Sequence, residues 1–405
     1  MPTTLTLEQV AQAAARLEGV IHPTPLEYSN TFSTMSDAKV WLKCENLQKT
    51  GSFKIRGAYN TLAELSDRGG LTAVVASSAG NHAQGVAYAA SKQGIPATIV
   101  MPKSSPLAKV EATRGYGAEV VLHGDDYDSA YAHAMSIQQS TGATFVHPFN
   151  DLSVVAGQAT IGAELLKALP DMDMVFVPAG GGGLLAGVAF YLKSKYPHIT
   201  VVGVQAQGAD AIVRSFEGGK LVASETVNTI ADGIAVKQPG ELTYALIAQH
   251  VDHMITVNDS EIASTILNLL ERSKLMVEPA GATGLAGLLS GKLNVSGKNC
   301  VAILSGGNID VNFVGKIIDT GLYARSRKLK FKTVTRDVPG SLEKLITIIS
   351  ANNANIISIQ HDRMNLGLDI RDVMLRITCE VASEAYGIQL VSALKKAGHP
   401  VVMSE

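Results

Sequence analysis

The chain has 405 residues, 46% hydrophobic and 17% charged, with 34 Lys and Arg against 36 Asp and Glu for a formal net charge of −2. That length carries two or three domains and a large buried core, and the apolar share excludes a disordered chain. The near-neutral balance and the single Trp41 offer neither a positive field nor stacking platforms, so neither nucleic acid nor an anionic membrane is expected as a partner.

The first predicted element is a helix in "TLEQVAQAAARLEGVI", where Thr6 and Gln9 form a capping box and Leu7, Val10, Ala14, Leu17 and Ile21 recur at helical spacing. The segment lacks the basic flank and unbroken apolar core of a signal peptide, and no later apolar run reaches spanning length. Next comes "QKTGSFKIRGAYN", which sets Lys54 between Phe53 and Ile55 where a helix is ready to begin. A lysine there has two readings. It can snorkel to water over its apolar neighbours, or it can be a nucleophile whose charged form is disfavoured by its surroundings.

From Leu71 to about Asp310, short β-branched runs alternate with alanine-rich helical patterns, as in "TAVVAS" before "NHAQGVAYAASKQG" and "ATIVM" before "PLAKVEATRGYG". The pattern resumes with "MVFVPA", "LLAGVAFYLKSKYP" and "TVVGVQA", and "ASTILNLLERSKL" precedes "NCVAILSG". This is the rhythm of βαβ units on a parallel sheet and predicts a doubly wound α/β core. After Tyr323 a basic connector, "ARSRKLKFK", leads into strands and helices in the order β-α-β-β-α-β of a ferredoxin-like unit. The expected domains are therefore a core over 1–323 with a smaller lobe over roughly 52–155, a linker over 324–330 and a C-terminal domain over 331–405. Cys44, Cys300 and Cys379 form no C-x-x-C pair, so no metal cage or redox pair is expected, and a cytoplasmic location fits.

In an open parallel sheet, ligands lie beyond the carboxyl ends of the strands, so the loops there carry the chemistry. "VPAGGGGLLAG" places Gly180, Gly181, Gly182 and Gly183 between a strand and a helix opening at Leu184. Converging N–H groups and a helix N-terminus suit a phosphate, although a tight turn would also use glycine. Gly181, Gly183 and Ala186 satisfy G-x-G-x-x-A, but the following strand ends in Gln205 where a dinucleotide site wants an acid, and no G-K-[ST] follows for a P-loop. A phosphate monoester is the better fit. "SSAGNHAQG" gathers Ser77, Ser78, Gly80, Asn81 and His82 at a helix start, suited either to a carboxylate or phenolic oxygen or to simple N-capping. "LSGGNID" puts Ser305 at a strand end beside Gly306 and Gly307. A lysine nucleophile, a phosphate cradle and a carboxylate loop together imply pyridoxal 5'-phosphate, which brings an aldehyde and a phosphate at once.

The segments "GSFKIRGAYN", "SSAGNHAQG", "GGGGLLAG", "DGIAV", "EPAGA" and "LSGGNID" resemble, in order and content, the threonine dehydratases (threonine ammonia-lyases) of the tryptophan-synthase-β-like pyridoxal-phosphate superfamily. The likeness runs from Leu5 to about Tyr323, and the tail resembles an ACT-type regulatory domain. It implies a two-lobed, open, twisted parallel-sheet core. It further implies that Lys54 holds the cofactor as a Schiff base and removes the substrate Cα proton, that Phe53 packs on the pyridine face, and that Asn81 bonds the ring oxygen. By the same resemblance Ser78, Gly80, Asn81 and His82 take the substrate carboxylate, Gly180 to Gly183 and Leu184 cradle the phosphate, Gly233 lines the ring, and Ser305 faces the pyridine nitrogen. A neutral hydroxyl at that nitrogen makes a weaker electron sink and favours β-elimination. The implied reaction is L-threonine to 2-oxobutanoate and ammonia, with L-serine giving pyruvate.

Serine racemases of the superfamily carry a serine where this chain has Ala79, and metal ligands where it has Gln205 and Ala211, so the resemblance implies neither efficient racemisation nor that metal site. The alternatives are a serine racemase/dehydratase, a β-replacement enzyme, and an amino-acid sensor with a dead core. In the tail, Asp337, Val338, Pro339, Gly340 and Ser341 form a strand-to-helix turn where an amino-acid effector, isoleucine first, could present its carboxylate. Equally, the tail could pair with its own copy in a homodimer or homotetramer.

Overall fold

A computed structural model describes residues 4–324, 326–363 and 367–403. It divides into two compact units, Met1–Ile309 and Asp310–Glu405. The strands of the first are, in chain order, β1 Leu26–Tyr28, β2 Lys39–Lys43, β3 Val74–Ser77, β4 Ala97–Met101, β5 Glu119–Leu122, β6 Thr144–Phe145, β7 Met174–Pro178, β8 Thr200–Ala206, β9 His253–Val257 and β10 Asn299–Ile303. A six-stranded sheet takes the order β1-β2-β10-β7-β8-β9, and a four-stranded sheet takes β5-β4-β3-β6. All pairings are parallel except β1 with β2, which is antiparallel at the edge. The α/β core expected from the alternating pattern is therefore present in two lobes, the smaller one built on β3 to β6.

The β-branched, fully buried strands such as Met174–Pro178 need helices on both faces, and the alanine-rich segments supply them. Leu185, Val188, Val155 and Leu165 pack with Val175, Val177 and Val201 into the core of the larger lobe. Val86, Ala87 and Leu62 close on Val74, Ala76 and Ile99 in the smaller one. The N-terminal helix, Leu7–Leu17, carries the capping box read from Thr6 and Gln9.

The helix Lys54–Arg68 is fixed with unusual closeness. A Cβ added at Gly157 would lie 2.5 Å from the Arg56 carbonyl oxygen and 2.7 Å from Gly57 Cα, so this helix and Leu152–Ala168 meet backbone to backbone. Beneath its first turn Arg56, wholly buried, spends all of its guanidinium donors. Nε and Nη2 reach Glu45 at 2.8 and 2.8 Å, Nη1 and Nη2 reach Glu164 at 2.6 and 3.0 Å, and Nη1 reaches Thr160 Oγ1 at 3.1 Å. Lys43 Nζ adds bonds to Glu164 and to the Thr24 carbonyl at 2.6 and 2.8 Å, and the Thr24 hydroxyl donates to Glu45. Two cations face two anions, with every donor of Arg56 met and Glu164 reaching partly to solvent, which is what makes the cluster tolerable.

The second unit contains β11 Lys328–Arg336, β12 Asn355–Asp362, β13 Asp372–Glu380 and β14 Val402–Met403 in the antiparallel order β12-β13-β11-β14. Helices Ser341–Ala351 and Glu384–Lys396 bury Leu345, Ile349, Leu390 and Leu394 against Phe331, Leu375 and Ile377, giving the expected β-α-β-β-α-β order. The division of the chain differs from the sequence expectation by one helix. Val311–Ala324 groups with the second unit, where Lys328 Nζ bonds Asp319 at 2.8 Å and Arg327 N donates to the Leu322 carbonyl at 2.9 Å. Strand β11 also begins inside the stretch 324–330 read as a linker.

Candidate active site

Three loops leave the carboxyl ends of parallel strands and converge. Strand β3 gives way to Ser78–Gly80 and the helix Asn81–Gln93, β7 to the glycine run and the helix Gly183–Lys195, and β10 to Leu304 and Ser305. Since β7 and β10 are neighbours, the glycine run and Ser305 leave adjacent strand ends. Ser52 forms an isolated antiparallel bridge with Gly306, and Phe53 N donates to the Ser305 carbonyl at 3.1 Å. These bonds stitch the start of the lysine helix to the β10 loop.

Lys54 opens its helix with Nζ 2.9 Å from the Pro148 carbonyl oxygen and 5.3 Å from the Phe53 ring centroid. Desolvation pulls its amine down to about 8, opposed by the negative charge of Glu278. His82 is buried with Nε2 2.9 Å from the Val146 carbonyl, and desolvation, helped by the Lys54 charge, pushes it down to about 3. It is a neutral donor at Nε2. His147 accepts from Phe149 N and Asn150 N through Nδ1, at 3.2 and 2.8 Å, and burial holds it near 4. The segment from Val146 to Asn150 thus turns around its own imidazole while its carbonyls engage His82 and Lys54.

The same segment shapes the glycine run. A Cβ at Gly181 would sit 2.2 Å from the Phe149 ring, and one at Gly183 would sit 3.0 Å from Phe149 Cβ. Gly182 has φ +95°, a left-handed conformation that suits glycine, and supplies the N-cap of the helix without any side-chain cap bond. That helix start therefore keeps its N–H groups for an anion. Gly180 closes on Ile234, and Gly233 lies beside Ala280 in the turn Asp232–Ile234. In the loop after β3, Gly80 N donates to Ser78 Oγ at 3.2 Å, and the following helix likewise has no side-chain cap.

The residues present fit a phosphate-bearing aldehyde. Among the described residues, the buried hydroxyls of Thr50, Ser52 and Ser77 have no hydrogen-bond partner, as polar groups beside a ligand do. No cluster of His, Cys, Asp or Glu able to hold a metal occurs among them, and no described helix is long and apolar enough to cross a membrane.

Sequence reasoning passed over several contributors. Glu278 is 5% exposed, and its Oε1 accepts from Asn81 Nδ2 at 2.6 Å. Burial, with Asp232 adding to it, pushes its carboxyl up to about 8. Asn308 Nδ2 donates to Asn81 Oδ1 and to the Thr50 carbonyl, both at 2.8 Å. A charged residue inside the apolar run "LMVEPAGATGLAGLL" is the signal that singled out Lys54, and it would have found Glu278. Pro148 and Phe149 act through a carbonyl and a ring edge, which leave no such trace.

The family described as "Pyridoxal-phosphate dependent enzyme" matches residues 17–306. An L-threonine ammonia-lyase of Thermotoga maritima is 47% identical over 397 residues, 98% of this chain and 99% of its own. Among solved structures, the processed form of threonine deaminase isoform 2 from Solanum lycopersicum superposes with a TM-score of 0.74 at 36% identity, covering 77% of this chain and 87% of its own. Maize serine racemase gives a TM-score of 0.74 at 35% identity, covering 80% and 99%. The desolvated lysine, the uncapped glycine cradle and these matches lead to one conclusion: the chain belongs to the family of pyridoxal-phosphate dependent enzymes.

Proposed function

We propose that the chain is a threonine ammonia-lyase, converting L-threonine to 2-oxobutanoate and ammonia and L-serine to pyruvate and ammonia. The end-to-end likeness to an L-threonine ammonia-lyase carries this reading. Bound pyridoxal phosphate supplies an aldehyde for the amino group and an electron sink for the Cα–H bond. The hydroxyl leaves Cβ as water, and hydrolysis of the released enamine takes that water back and frees ammonia, so the reaction balances without an oxidant.

The roles proposed for individual residues are those the resemblance implies, and the surroundings of several of them support the assignment. Lys54 Nζ, held with a lowered proton affinity, binds the cofactor and takes the Cα proton. Phe53 flanks the ring and Asn81 serves its oxygen. Ser78 and Asn81 present donors to the substrate carboxylate, Gly80 N holds the Ser78 hydroxyl in place, and His82, neutral at physiological pH, steadies that loop through Val146. Gly180 to Gly183 with Leu184 N hold the phosphate at the uncapped helix start. Gly233 leaves room beside the ring, and Ser305 offers the pyridine nitrogen a neutral hydroxyl. Racemisation is disfavoured because Ala79 has no exchangeable proton, and a missing acid forfeits about two to four orders of magnitude.

In the C-terminal unit, Gly340, with φ +87°, caps the helix Ser341–Ala351 without a side-chain bond, and Arg363 pins Asp337 at 2.8 and 3.1 Å. This supports an amino-acid effector, isoleucine first, bound by its carboxylate at that helix start. A homodimer or homotetramer in the cytoplasm is the assembly proposed, and three free buried cysteines agree with a reducing compartment. The test is the initial rate of 2-oxo acid release by the cofactor-loaded protein from L-threonine and from L-serine, repeated over an isoleucine titration. Rapid 2-oxobutanoate release is expected. D-serine forming from L-serine faster than pyruvate would replace this reading with the racemase.

A further inference from the structure

Asn81 does not stand alone. Its side chain is the middle member of a directional relay that begins at a backbone carbonyl and ends at a buried carboxyl. The Thr50 carbonyl can only accept, so Asn308 must turn Nδ2 toward it, at 2.8 Å. The second hydrogen of that nitrogen goes to Asn81 Oδ1 at 2.8 Å, which leaves Asn81 Nδ2 facing Glu278 Oε1 at 2.6 Å. One N–H of Asn81 is thereby committed and the other is left over. Reversing the amide would set nitrogen against nitrogen at Asn308, a clash of like partners in a part-buried place, so the Thr50 carbonyl, acting through Asn308, fixes the orientation.

The backbone makes room for this relay. A Cβ at Gly51, where φ is +71°, would lie 2.2 Å from Asn308 Oδ1. A Cβ at Gly306 would lie 2.2 Å from Glu278 Oε1 and 3.2 Å from Asn81 Nδ2. Glu278 is also the N-cap residue of the helix Pro279–Leu289, yet its carboxyl makes no capping bond and turns to Asn81 instead. Four separate stretches, "TGSFK", "SAGNH", "EPAGA" and "SGGNI", each contribute a part.

We propose that Glu278 and Asn308 are positioning residues that lock the Asn81 amide in one orientation, keeping its second N–H for the cofactor ring oxygen. The proposal rests on the reading of Asn81 given above. Neither residue touches the cofactor in this account. Each acts through Asn81, which distinguishes the relay from a network that merely stabilises the fold.

The test compares Asn81→Ala, Glu278→Ala, Glu278→Gln, Asn308→Ala and the double variant Asn81→Ala/Glu278→Ala, all loaded with pyridoxal phosphate. The readouts are the visible absorption band of the bound cofactor and its dissociation rate. Asn81→Ala is expected to shift the band. Glu278→Ala and Asn308→Ala should shift it in the same direction and speed cofactor loss by about tenfold, the lower end of what outer partners of a ligating residue carry. Glu278→Gln, which keeps an acceptor oxygen, should restore most of the parent behaviour. In the double variant, removing Glu278 should add nothing to the loss of Asn81.

An unchanged band and dissociation rate in Glu278→Ala, or full additivity in the double variant, would overturn the relay while leaving Asn81 in place. If Glu278→Ala does not fold, Asn308→Ala decides alone, and a parent-like band there overturns the proposal. An unchanged band in Asn81→Ala would remove the underlying reading of Asn81 instead, and the relay with it.

Discussion

Lys54 and Arg56 lie in the same helical turn, Arg56 wholly buried and Lys54 partly so, and their surroundings treat them in opposite ways. Around Arg56, burial alone would lower the pKa, but Glu45 and Glu164 overcome it and hold the guanidinium above its ordinary value. Around Lys54, burial wins, because no carboxylate bonds the amine and its acceptor is the Pro148 carbonyl. A buried charge met at every donor becomes scaffold, and one that is under-compensated becomes reactive. Glu45 and Glu278 repeat the contrast from the acidic side. Burial would raise Glu45, but Arg56 and Lys43 bring it below the usual carboxylate range, whereas Glu278 stays raised.

The contrast can be broken by exchanging the consequences of the two cations. Lys54→Ala should cut turnover by about four orders of magnitude or more and remove the visible band of the bound cofactor. Its folding stability should stay within about 1 kcal/mol of the parent, measured by urea denaturation. A variant that retained turnover, or one that failed to fold, would show that Lys54 is structural. Arg56→Met should do the reverse. It leaves Glu45 and Glu164 with Lys43 alone as a shared cation and should cost about 3–5 kcal/mol in the same denaturation experiment. An unchanged midpoint would mean that the charge cluster contributes little.

A smaller effect sharpens the comparison. Only the neutral amine attacks an aldehyde, so a pKa lowered to about 8 raises the reactive fraction at any pH below that value. The rate at which cofactor-free protein captures pyridoxal phosphate should climb about tenfold per pH unit below 7 and level off near pH 9, in a stopped-flow absorbance measurement. A rate still climbing at pH 10 would assign the amine the behaviour of a solvated lysine.

Much of this arrangement is legible in the chain itself. The alternation of β-branched and alanine-rich runs specifies parallel α/β units because a strand buried on both faces leaves no polar period. Lys54 and the glycine run stand out because each violates its local surroundings. What stays hidden is long-range. Nothing local says that "KVWLK" becomes β2 beside β10, or that the antiparallel β1 closes that edge. Arg56 gives no sign of its partners, since Glu164 is more than a hundred residues away and meets it only when two glycine-bearing helices touch. The role of Glu278 needs the orientation of Asn81, and that orientation is set by Asn308 from the far end of the domain.

The contact between Phe149 and Gly181 has a consequence for how this sequence can drift. With the ring 2.2 Å from where a Cβ would stand, a side chain at position 181 forces the phenyl group to shift, and a smaller residue at 149 would open a gap beside the cradle. Neither position can change first without loss. The two positions are tied across more than thirty residues, so the effects of changing them are expected to be coupled, not additive.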